Sequence, residues 1–311
     1  MAVFSSTDFL HPLDWSARQQ LENVPMLRQA TQRYMSYYGD RRHRQLLLSH
    51  AVRLGPRQLP KIYKLLPPIC DAFGISEPEL FVRVGPPNTE TVGHSWTAIV
   101  IGNQLLEDLD EDEIQAILAH ECGHILVEHV LYRQMAISLM KAGSAATPLK
   151  AIAAAELAKV RINAALLDWY RKSELTADRA AATFMGTPEP LQRGLLRTLG
   201  LSKWMRGQVS FEEFANQAHE FDEITTDASK WDQWIGRNLG SDVTHPAPAI
   251  RMRELMSWSS SESYQQLLTL RRQECRAGVG ECSACGHPLV DAWRFCDHCG
   301  VSIPRARHEL R

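Results

Sequence analysis

The amino-acid sequence predicts a mainly α fold with some β structure (α+β). A large helical domain is expected to hold a small antiparallel sheet, and a small metal-binding module follows it. Three observations predict this arrangement. Apolar residues recur at helical spacing along most of the chain, two short β-branched stretches interrupt them, and two Cys-x-x-Cys pairs lie near the end. A chain of 311 residues is long enough for one large domain with an appendage.

Composition narrows the class of protein further. Hydrophobic residues make up 44% of the chain and charged residues 23%, proportions typical of a soluble globular protein. The formal net charge of −2 argues against bulk binding to nucleic acid. The apolar tract 136–155 is interrupted by Lys141, Pro148 and Lys150, so it falls short of a membrane-spanning helix. The first residues lack the pattern of a secretory signal, and we therefore expect a cytoplasmic protein without a transmembrane segment.

The first elements in chain order are helices, followed by two strands. Helical structure is predicted up to about Phe73, a short strand at Leu80–Val84, and a second strand at Trp96–Ile101 after turn residues at 85–88 and Gly93. We expect the second strand to form a sheet edge, where an extended peptide can add as a further strand. A plain core strand is the alternative, and the two interpretations are compatible. The candidate substrate-binding residues are Asn88, Trp96, Ala98 and Val100.

The next element is a helix that carries the most informative motif of the chain. Residues 120–124 read His-Glu-Cys-Gly-His, an H-E-x-x-H pattern, and Asp110 with Glu113 forms the expected capping box at the helix start. Residues four apart lie on one helix face, so His120 and His124 are placed to bind one zinc ion. The carboxylate of Glu121 is placed to act as general base on a water at the metal. Two histidines on an ordinary amphipathic helix are the weaker alternative.

A catalytic zinc needs a third protein ligand, because its fourth position is kept for water or substrate. A third histidine directly downstream is excluded, since valines occupy the glycine and histidine positions of that longer motif, and His129 is expected to point away from the metal face. The best candidate is Glu174, on a helix predicted from about Ala151 to Met185. Asp178, one turn later, is placed to orient a ligand histidine. The alternative for Glu174 is a solvated helix acid.

Further helices complete the large domain, which we place at residues 1–273. Breaks are predicted near 188–190 and at Gly200, and an acidic amphipathic helix is predicted at Phe211–Ile224. This helix is more simply a packed surface helix than a lid. The last helices are predicted between Pro246 and Leu270.

The C-terminal module is marked by its cysteines. The pairs Cys282/Cys285 and Cys296/Cys299 are each followed by glycine, a spacing typical of a structural zinc held by four thiolates. Two disulfides are the alternative, which a reducing cytoplasm disfavours. We place the linker at 274–280, the zinc ribbon at 281–304 and a basic tail at 305–311. Other residues with a predicted role here are His287 and His298 as possible substitute ligands, Cys275 as a free thiol, and Cys70 and Cys122 as core residues.

The expected partner of the ribbon is a protein. The module carries acidic residues alongside Arg294 and shows no basic stripe, so binding to nucleic acid is disfavoured. A docking or substrate-recruiting role is the better interpretation.

Several separate pieces of the sequence resemble the HtpX-like zinc endopeptidases. This family also includes the type I CAAX prenyl endopeptidase and the Oma-type mitochondrial protease. H-E-x-x-H is followed by S-E-x-x-A-D at 173–178, and Thr244-His245-Pro246 resembles the family's His-Pro motif. The segment from Asn88 to Ile101 resembles its Asn-Ala-x-x-x-Gly stretch and the strand that follows. Thr89 stands where the family usually has alanine, and Cys122 where leucine is common, but neither departure is expected to affect the chemistry.

The resemblance implies a zincin-like domain with a gluzincin site. It also implies His245, or second Arg251, as the donor that stabilises the oxyanion; for His245, a helix-entry histidine before proline is an equal alternative. The implied residues of the site are His120, His124 and Glu174 as zinc ligands and Glu121 as base.

The leading functional hypothesis is a zinc endopeptidase that acts on peptides or unfolded proteins and holds one catalytic and one structural zinc. The alternative is a silent or latent scaffold that acts through its ribbon as a protein- or nucleic-acid-binding module.

Overall fold

The computed structural model describes residues 4–23, 27–34, 40–133, 162–224 and 247–277, together with 282, 284–287 and 298. Helices dominate, and four short strands form one sheet, which confirms the predicted mainly α (α+β) class. The apolar tract 136–155, His245, Cys296, Cys299 and the side chain of Cys275 lie outside the described part. Among the described residues, no helix has both the length and the hydropathy to span a membrane.

The helical part follows the predicted order. Breaks fall where they were predicted, at 186–188 and around Gly200. The N-terminal helices are α1 (Pro12–Glu22), α2 (Leu27–Tyr34), α3 (Asp40–His50), α4 (Pro60–Tyr63) and α5 (Leu66–Phe73). The later helices are α6 (Asn103–Leu106), α7 (Glu111–Leu126), α8 (Ile162–Met185), α9 (Glu189–Thr198), α10 (Lys203–Arg206), α11 (Phe211–Ile224), α12 (Pro248–Ser259) and α13 (Glu262–Ala277).

The last helix corrects one boundary. Helix α13 continues through Ala277, so the first four residues of the predicted linker at 274–280 are helical. The physical reason is local, because glutamate, arginine and alanine favour a helix and the first glycine of the segment is Gly278.

The sheet corrects a second prediction. Its strands are β1 (Val52–Arg53), β2 (Glu79–Arg83), β3 (Thr89–Gly93) and β4 (Thr97–Gly102), in the order β1-β2-β4-β3. The sheet is mixed rather than antiparallel, since β4 pairs parallel with β2 and antiparallel with β3. Strand β4, expected at the edge, is therefore central. Its continuous apolar run is buried from Ala98 to Ile101, as is typical of a strand with neighbours on both sides.

The turn between β3 and β4 is tightly specified. Gly93 has a φ of 96°, and a Cβ there would lie 1.7 Å from the carbonyl oxygen of Trp96, so only glycine fits. Asp40, at the start of α3, accepts hydrogen bonds from the backbone N–H groups of His94 at 2.9 Å and Ser95 at 2.8 Å. These contacts fix the end of β3 against α3.

Helices α7 and α8 cross at very close range. A Cβ on Gly123 of α7 would lie 3.0 Å from the Cβ of Ala180 and 3.3 Å from the Cα of Ala177, both on α8. The main core packs around this crossing and includes Cys70 and Cys122, which are buried as predicted. Small residues at the crossing thus set the distance between the helix that carries H-E-x-x-H and the helix that carries Glu174.

Replacing Gly123 by alanine is expected to lower the free energy of unfolding, because the added methyl group would press on Ala180 and on the backbone of α8. Such overpacking costs about 1–3 kcal/mol, and we expect the cost to exceed the ~1 kcal/mol that alanine gains over glycine in helix propensity. Gly194→Ala is the matched control, since the added methyl would meet only the flexible end of Ile117. Urea unfolding of both variants measures the difference. Equal or greater stability of the Gly123 variant would contradict the close packing.

Candidate metal centre

The H-E-x-x-H motif lies on a well-formed helix. The carboxylate of Asp110 accepts a hydrogen bond from the backbone N–H of Glu113 at 2.9 Å, and the carboxylate of Glu113 accepts one from the backbone N–H of Asp110 at 3.0 Å. The two bonds form the predicted capping box. One turn of helix separates His120 and His124, and their Nε2 atoms lie 3.2 Å apart. Both side chains are buried.

Glu174 of α8 reaches the same point. Its Oε2 lies 3.4 Å from Nε2 of His120, and its Oε1 lies 3.3 Å from Nε2 of His124. One ligand atom from each of the three residues falls within 4.8 Å of the others, and Glu174 is fully buried. The structure therefore brings together the three residues that the sequence analysis selected, and a solvated helix acid is excluded for Glu174.

Asp178 orients the first histidine. Its Oδ1 lies 2.9 Å from Nδ1 of His120, which leaves Nε2 of that ring directed at Glu174. Burial alone would lower the pKa of His120, but hydrogen bonds and charge from Asp178 and Glu174 outweigh it and raise the pKa to about 9. The position of Asp178 agrees with its predicted role behind a ligand histidine.

Arg251 of α12 contacts the carboxylate that orients His120. Its guanidinium binds Asp178 with two hydrogen bonds, from Nε to Oδ2 at 2.8 Å and from Nη2 to Oδ1 at 2.5 Å. Its Nη1 also lies 3.3 Å from Oε2 of Glu174. Burial raises the pKa of Asp178, yet Arg251 and His120 together hold it below its ordinary value. Arg251 thus holds two carboxylates in place, and its role as donor to an oxyanion stays a prediction. His245, the first choice for that donor, lies outside the described residues.

Two threonines of β3 hold the carboxylate of Glu121. The hydroxyl of Thr89 donates to Oε1 at 2.7 Å, and the hydroxyl of Thr91 donates to Oε2 in a short hydrogen bond. The expectation that Thr89 has no bearing on the chemistry is thus wrong, because its hydroxyl contacts the predicted base. The departure from alanine at this position was the available signal in the sequence.

His129 also lies differently from its prediction. Helix α7 ends in a Schellman turn, in which the N–H of Glu128 donates to the carbonyl of Ile125 and the N–H of His129 to that of His124. Glu128 has a φ of 55°, a left-handed conformation usually reserved for glycine. The turn folds His129 back, so that its Nδ1 lies 2.9 Å from Nδ1 of His124. His129 therefore contacts a candidate ligand, although it was expected to point away from the metal face.

Arg133 is a further buried residue of the centre that sequence reasoning missed. Its Nη1 donates to Nε2 of His124 at 2.6 Å and forms a short ion pair with Glu174, while Nη2 donates to the hydroxyl of Tyr170 at 2.9 Å. Burial and the charge of Arg133 hold the pKa of His124 well below its ordinary value, so this ring is neutral. Burial raises the pKa of Tyr170 to about 12. No motif in the sequence marks Arg133 or Tyr170.

The predicted substrate-binding residues do not line this centre. Ala98 and Val100 are buried in a separate core cluster with Phe81, and Trp96 packs against that cluster. Asn88 is exposed at the entry to β3, where its carbonyl accepts a hydrogen bond from the backbone of Gly102 at 2.9 Å. Of the four residues, Asn88 is the one that directly precedes the strand that contacts Glu121.

The described residues of the C-terminal module form a tight turn. The N–H of Gly286 donates to the carbonyl of Cys282 at 2.8 Å, and the N–H of Cys282 donates to that of His287 at 2.7 Å. Gly286 has a φ of 71°, which glycine adopts without strain. The rings of His287 and His298 lie 5.0 Å apart. A turn of this kind lets backbone amides approach the two cysteines of a Cys-x-x-Cys pair.

Two histidines and a glutamate around one point, with a second glutamate beside them on an H-E-x-x-H helix, define the metallopeptidase class. Comparison with known proteins gives the family: residues 56–259 match the model of peptidase family M48, and the chain belongs to this family of HtpX-like metallopeptidases.

Individual relatives agree with this assignment. A plastoglobule-localized, chloroplastic metallopeptidase 48 of Arabidopsis thaliana is 30% identical over 267 residues, which cover 84% of this chain and 75% of the relative. A protease HtpX homologue of Ralstonia pickettii is 23% identical over 240 residues, 70% of this chain and 81% of the relative. One from Halobacterium salinarum is 26% identical over 155 residues, 45% and 54% of the two chains. No solved structure gave a significant match.

Proposed function

We propose that the protein is a zinc-dependent endopeptidase, with His120, His124 and Glu174 as zinc ligands and Glu121 as general base. The observation that carries this proposal is the convergence of two Nε2 atoms and one carboxylate within 4.8 Å of one another in a buried site. Imidazole nitrogen and carboxylate oxygen are the donors that catalytic zinc uses, and three protein ligands leave a position open. The donor set therefore fits zinc. Bound zinc supplies Lewis acidity to a water molecule and to the carbonyl of the peptide.

The residues of the chain perform the proton transfers. Glu121 takes a proton from the attacking water and later delivers it to the leaving amine. The hydroxyls of Thr89 and Thr91 hold both carboxylate oxygens, so the base keeps one orientation. Asp178 and Arg251 fix His120 from behind. His245 stays our proposal for the donor that stabilises the oxyanion.

Replacing Thr89 by valine is expected to lower kcat about tenfold with little change in KM, because Glu121 loses a hydrogen bond that orients it. A hydrogen bond to a charged group contributes about 1.5–3 kcal/mol, and ~1.4 kcal/mol corresponds to a factor of ten in rate. Thr89→Ser keeps the hydroxyl and serves as the control. Steady-state kinetics on a quenched fluorescent peptide compares the two. Equal kcat values for the valine and serine variants would contradict this role of Thr89.

We propose that an extended peptide substrate binds along β3, and not along β4 as the sequence predicted. Strand β3 is one of the two edge strands of the sheet in the described part of the chain, and its threonines contact Glu121. An extended peptide that adds to β3 by backbone hydrogen bonds would pass beside the base. Because such pairing uses main-chain atoms, it suits peptides of varied sequence. Asn88 at the entry to β3 remains a candidate contact.

We propose that the C-terminal module is a zinc ribbon held by Cys282, Cys285, Cys296 and Cys299. The turn at Gly286 supports this proposal, since it matches the geometry of a metal-binding knuckle. A closed four-thiolate site is structural, and its metal stabilises the fold of a module too small for a hydrophobic core. Its proposed role is docking of a protein partner or substrate.

The predicted cytoplasmic location stays a prediction. The name of the Arabidopsis relative places that protein at plastoglobules.

The proposed function is tested by the cleavage of unfolded casein by the purified protein. We expect internal cleavage that a zinc chelator stops and that added zinc restores. Cleavage that persists in excess chelator would contradict a zinc peptidase. Release of single terminal residues alone would contradict an endopeptidase.

A further inference from the structure

A buried chain of hydrogen bonds leads from the first helix to the metal centre. Asp14 of α1 is fully buried, and its Oδ2 lies 2.9 Å from Nε2 of His129. Nδ1 of His129 lies 2.9 Å from Nδ1 of His124, whose Nε2 faces His120 and Glu174. The hydroxyl of Thr176 donates to the same oxygen of Asp14 at 2.6 Å.

The chemistry of the groups gives each hydrogen bond a direction. A carboxylate can only accept, so Nε2 of His129 donates to Asp14. We take His129 as a neutral link between the two groups, in which Nε2 carries the single ring proton and Nδ1 accepts. The proton between the two rings therefore belongs to Nδ1 of His124, and Nε2 of His124 keeps its lone pair. That lone pair is what a metal ligand must offer.

We propose that Asp14, acting through His129, is a positioning residue that fixes His124 in its metal-binding tautomer and makes helix α1 part of the metal centre. This inference rests on the proposed zinc site. Asp14 precedes the region that matches the family model, residues 56–259, so the contact is supplied by a segment outside the family's common domain. The Schellman turn after α7 is the device that brings His129 into place.

In this proposal a buried carboxylate orients each of the two ligand histidines, one directly and the other through a second histidine. Asp178 contacts Nδ1 of His120 directly, whereas Asp14 acts on Nδ1 of His124 through one intervening imidazole. In both cases a buried carboxylate decides which nitrogen carries the proton. Such partners of metal ligands typically change metal affinity about 10–100-fold when they are replaced.

Two variants and one control test the proposal in the full-length protein. Asp14→Asn removes the negative charge that holds the proton on Nε2 of His129, because an amide can either donate to this nitrogen or accept from it. His129→Phe keeps an aromatic ring in the buried space but offers no hydrogen bond to Asp14 or to His124. Gln20→Ala is the control, because it changes an exposed side chain of the same helix.

The measurement is the rate at which zinc passes from the protein to a chelator at fixed pH. The Glu174→Gln protein, which should lack the zinc ion of this site, identifies the part of the release that belongs to it. We expect release to be about 10–100-fold faster in both Asp14→Asn and His129→Phe, and within twofold of the natural rate in Gln20→Ala. Nitrogen-15 NMR of the zinc-loaded natural protein should show the His124 proton on Nδ1, and this signal should be altered in Asp14→Asn.

Two outcomes would overturn the proposal. If zinc binds at this site in the natural protein, and if both the Asp14 and the His129 variants release it at the rate of the natural protein, this inference is overturned and the proposed function is left intact. A natural protein that takes up no zinc at this site would overturn the proposed function and this inference with it.

Discussion

Replacing Glu121 by alanine is expected to abolish measurable peptide cleavage while leaving zinc bound. The carboxylate is the only group that we assign to proton transfer, and general acid–base catalysis contributes about 10²–10⁴-fold to a rate. Glu121 makes its hydrogen bonds to Thr89 and Thr91 of β3, whereas the proposed ligands are His120, His124 and Glu174. Removal of the base should therefore leave the metal affinity almost unchanged.

The measurement pairs initial rates on a fluorescent peptide with zinc content after dialysis. Glu111→Ala is the matched control, since it removes an exposed acid from the same helix. The carboxylate of Glu111 forms an ion pair with Lys64 at 2.9 Å, away from the proposed ligands. The control should cleave at the natural rate. If the Glu121 variant retains activity close to that of the control, another residue is the base.

Replacing Glu174 by glutamine is expected to remove zinc from the catalytic site and to reduce cleavage to background. Glutamine keeps the shape of the side chain but loses the charge that a zinc ligand supplies. The affinity should fall by more than ~100-fold, the upper end of what residues behind the ligands contribute. The proposed ribbon zinc should stay bound, so the variant is expected to hold one zinc ion where the natural protein holds two.

A second consequence of this change concerns stability. Glu174 lies between two buried arginines, Arg133 and Arg251, and the loss of its charge leaves both with less compensation. Loss of one partner from a buried ion pair costs about 3–5 kcal/mol, so thermal unfolding must accompany the zinc measurement. Asp168→Asn, an exposed change on the same helix, is the control. A folded Glu174 variant that still binds two zinc ions would contradict the ligand assignment.

The parts of the site that follow helical geometry were predictable from the sequence. His120 and His124 lie one turn apart on a helix, and a helix places them on one face whatever the rest of the fold does. The same argument related Glu174 and Asp178 on α8. The structure adds that small residues, Gly123 on α7 and Ala177 and Ala180 on α8, let the two helices lie close together.

Features that depend on contacts between distant segments were not predictable. Strand β4 was expected at the edge because its sequence shows strand propensity but not strand order, and its parallel pairing with β2 makes it central. Asp14 lies 115 residues before His129, so no local pattern links the two. Their contact arises only when α1 packs against α8 and the end of α7.

The turn at the end of α7 was not predictable for a different reason. A reversal after a helix is usually marked by glycine, which adopts a positive φ without strain. Here Glu128 adopts a φ of 55°, so no glycine in the sequence marks the point where the chain turns back toward His124. A helix extended past this point would have carried His129 away from the metal face, as was first expected.

The location of zinc in the crystal tests the central claim most directly. An anomalous difference map recorded at the zinc absorption edge, from crystals of the zinc-loaded protein, shows which side chains hold the ion. We predict a peak within bonding distance of Nε2 of His120, Nε2 of His124 and a carboxylate oxygen of Glu174. The absence of a peak there, or a peak bound by a different set of side chains, would contradict the proposed metal centre.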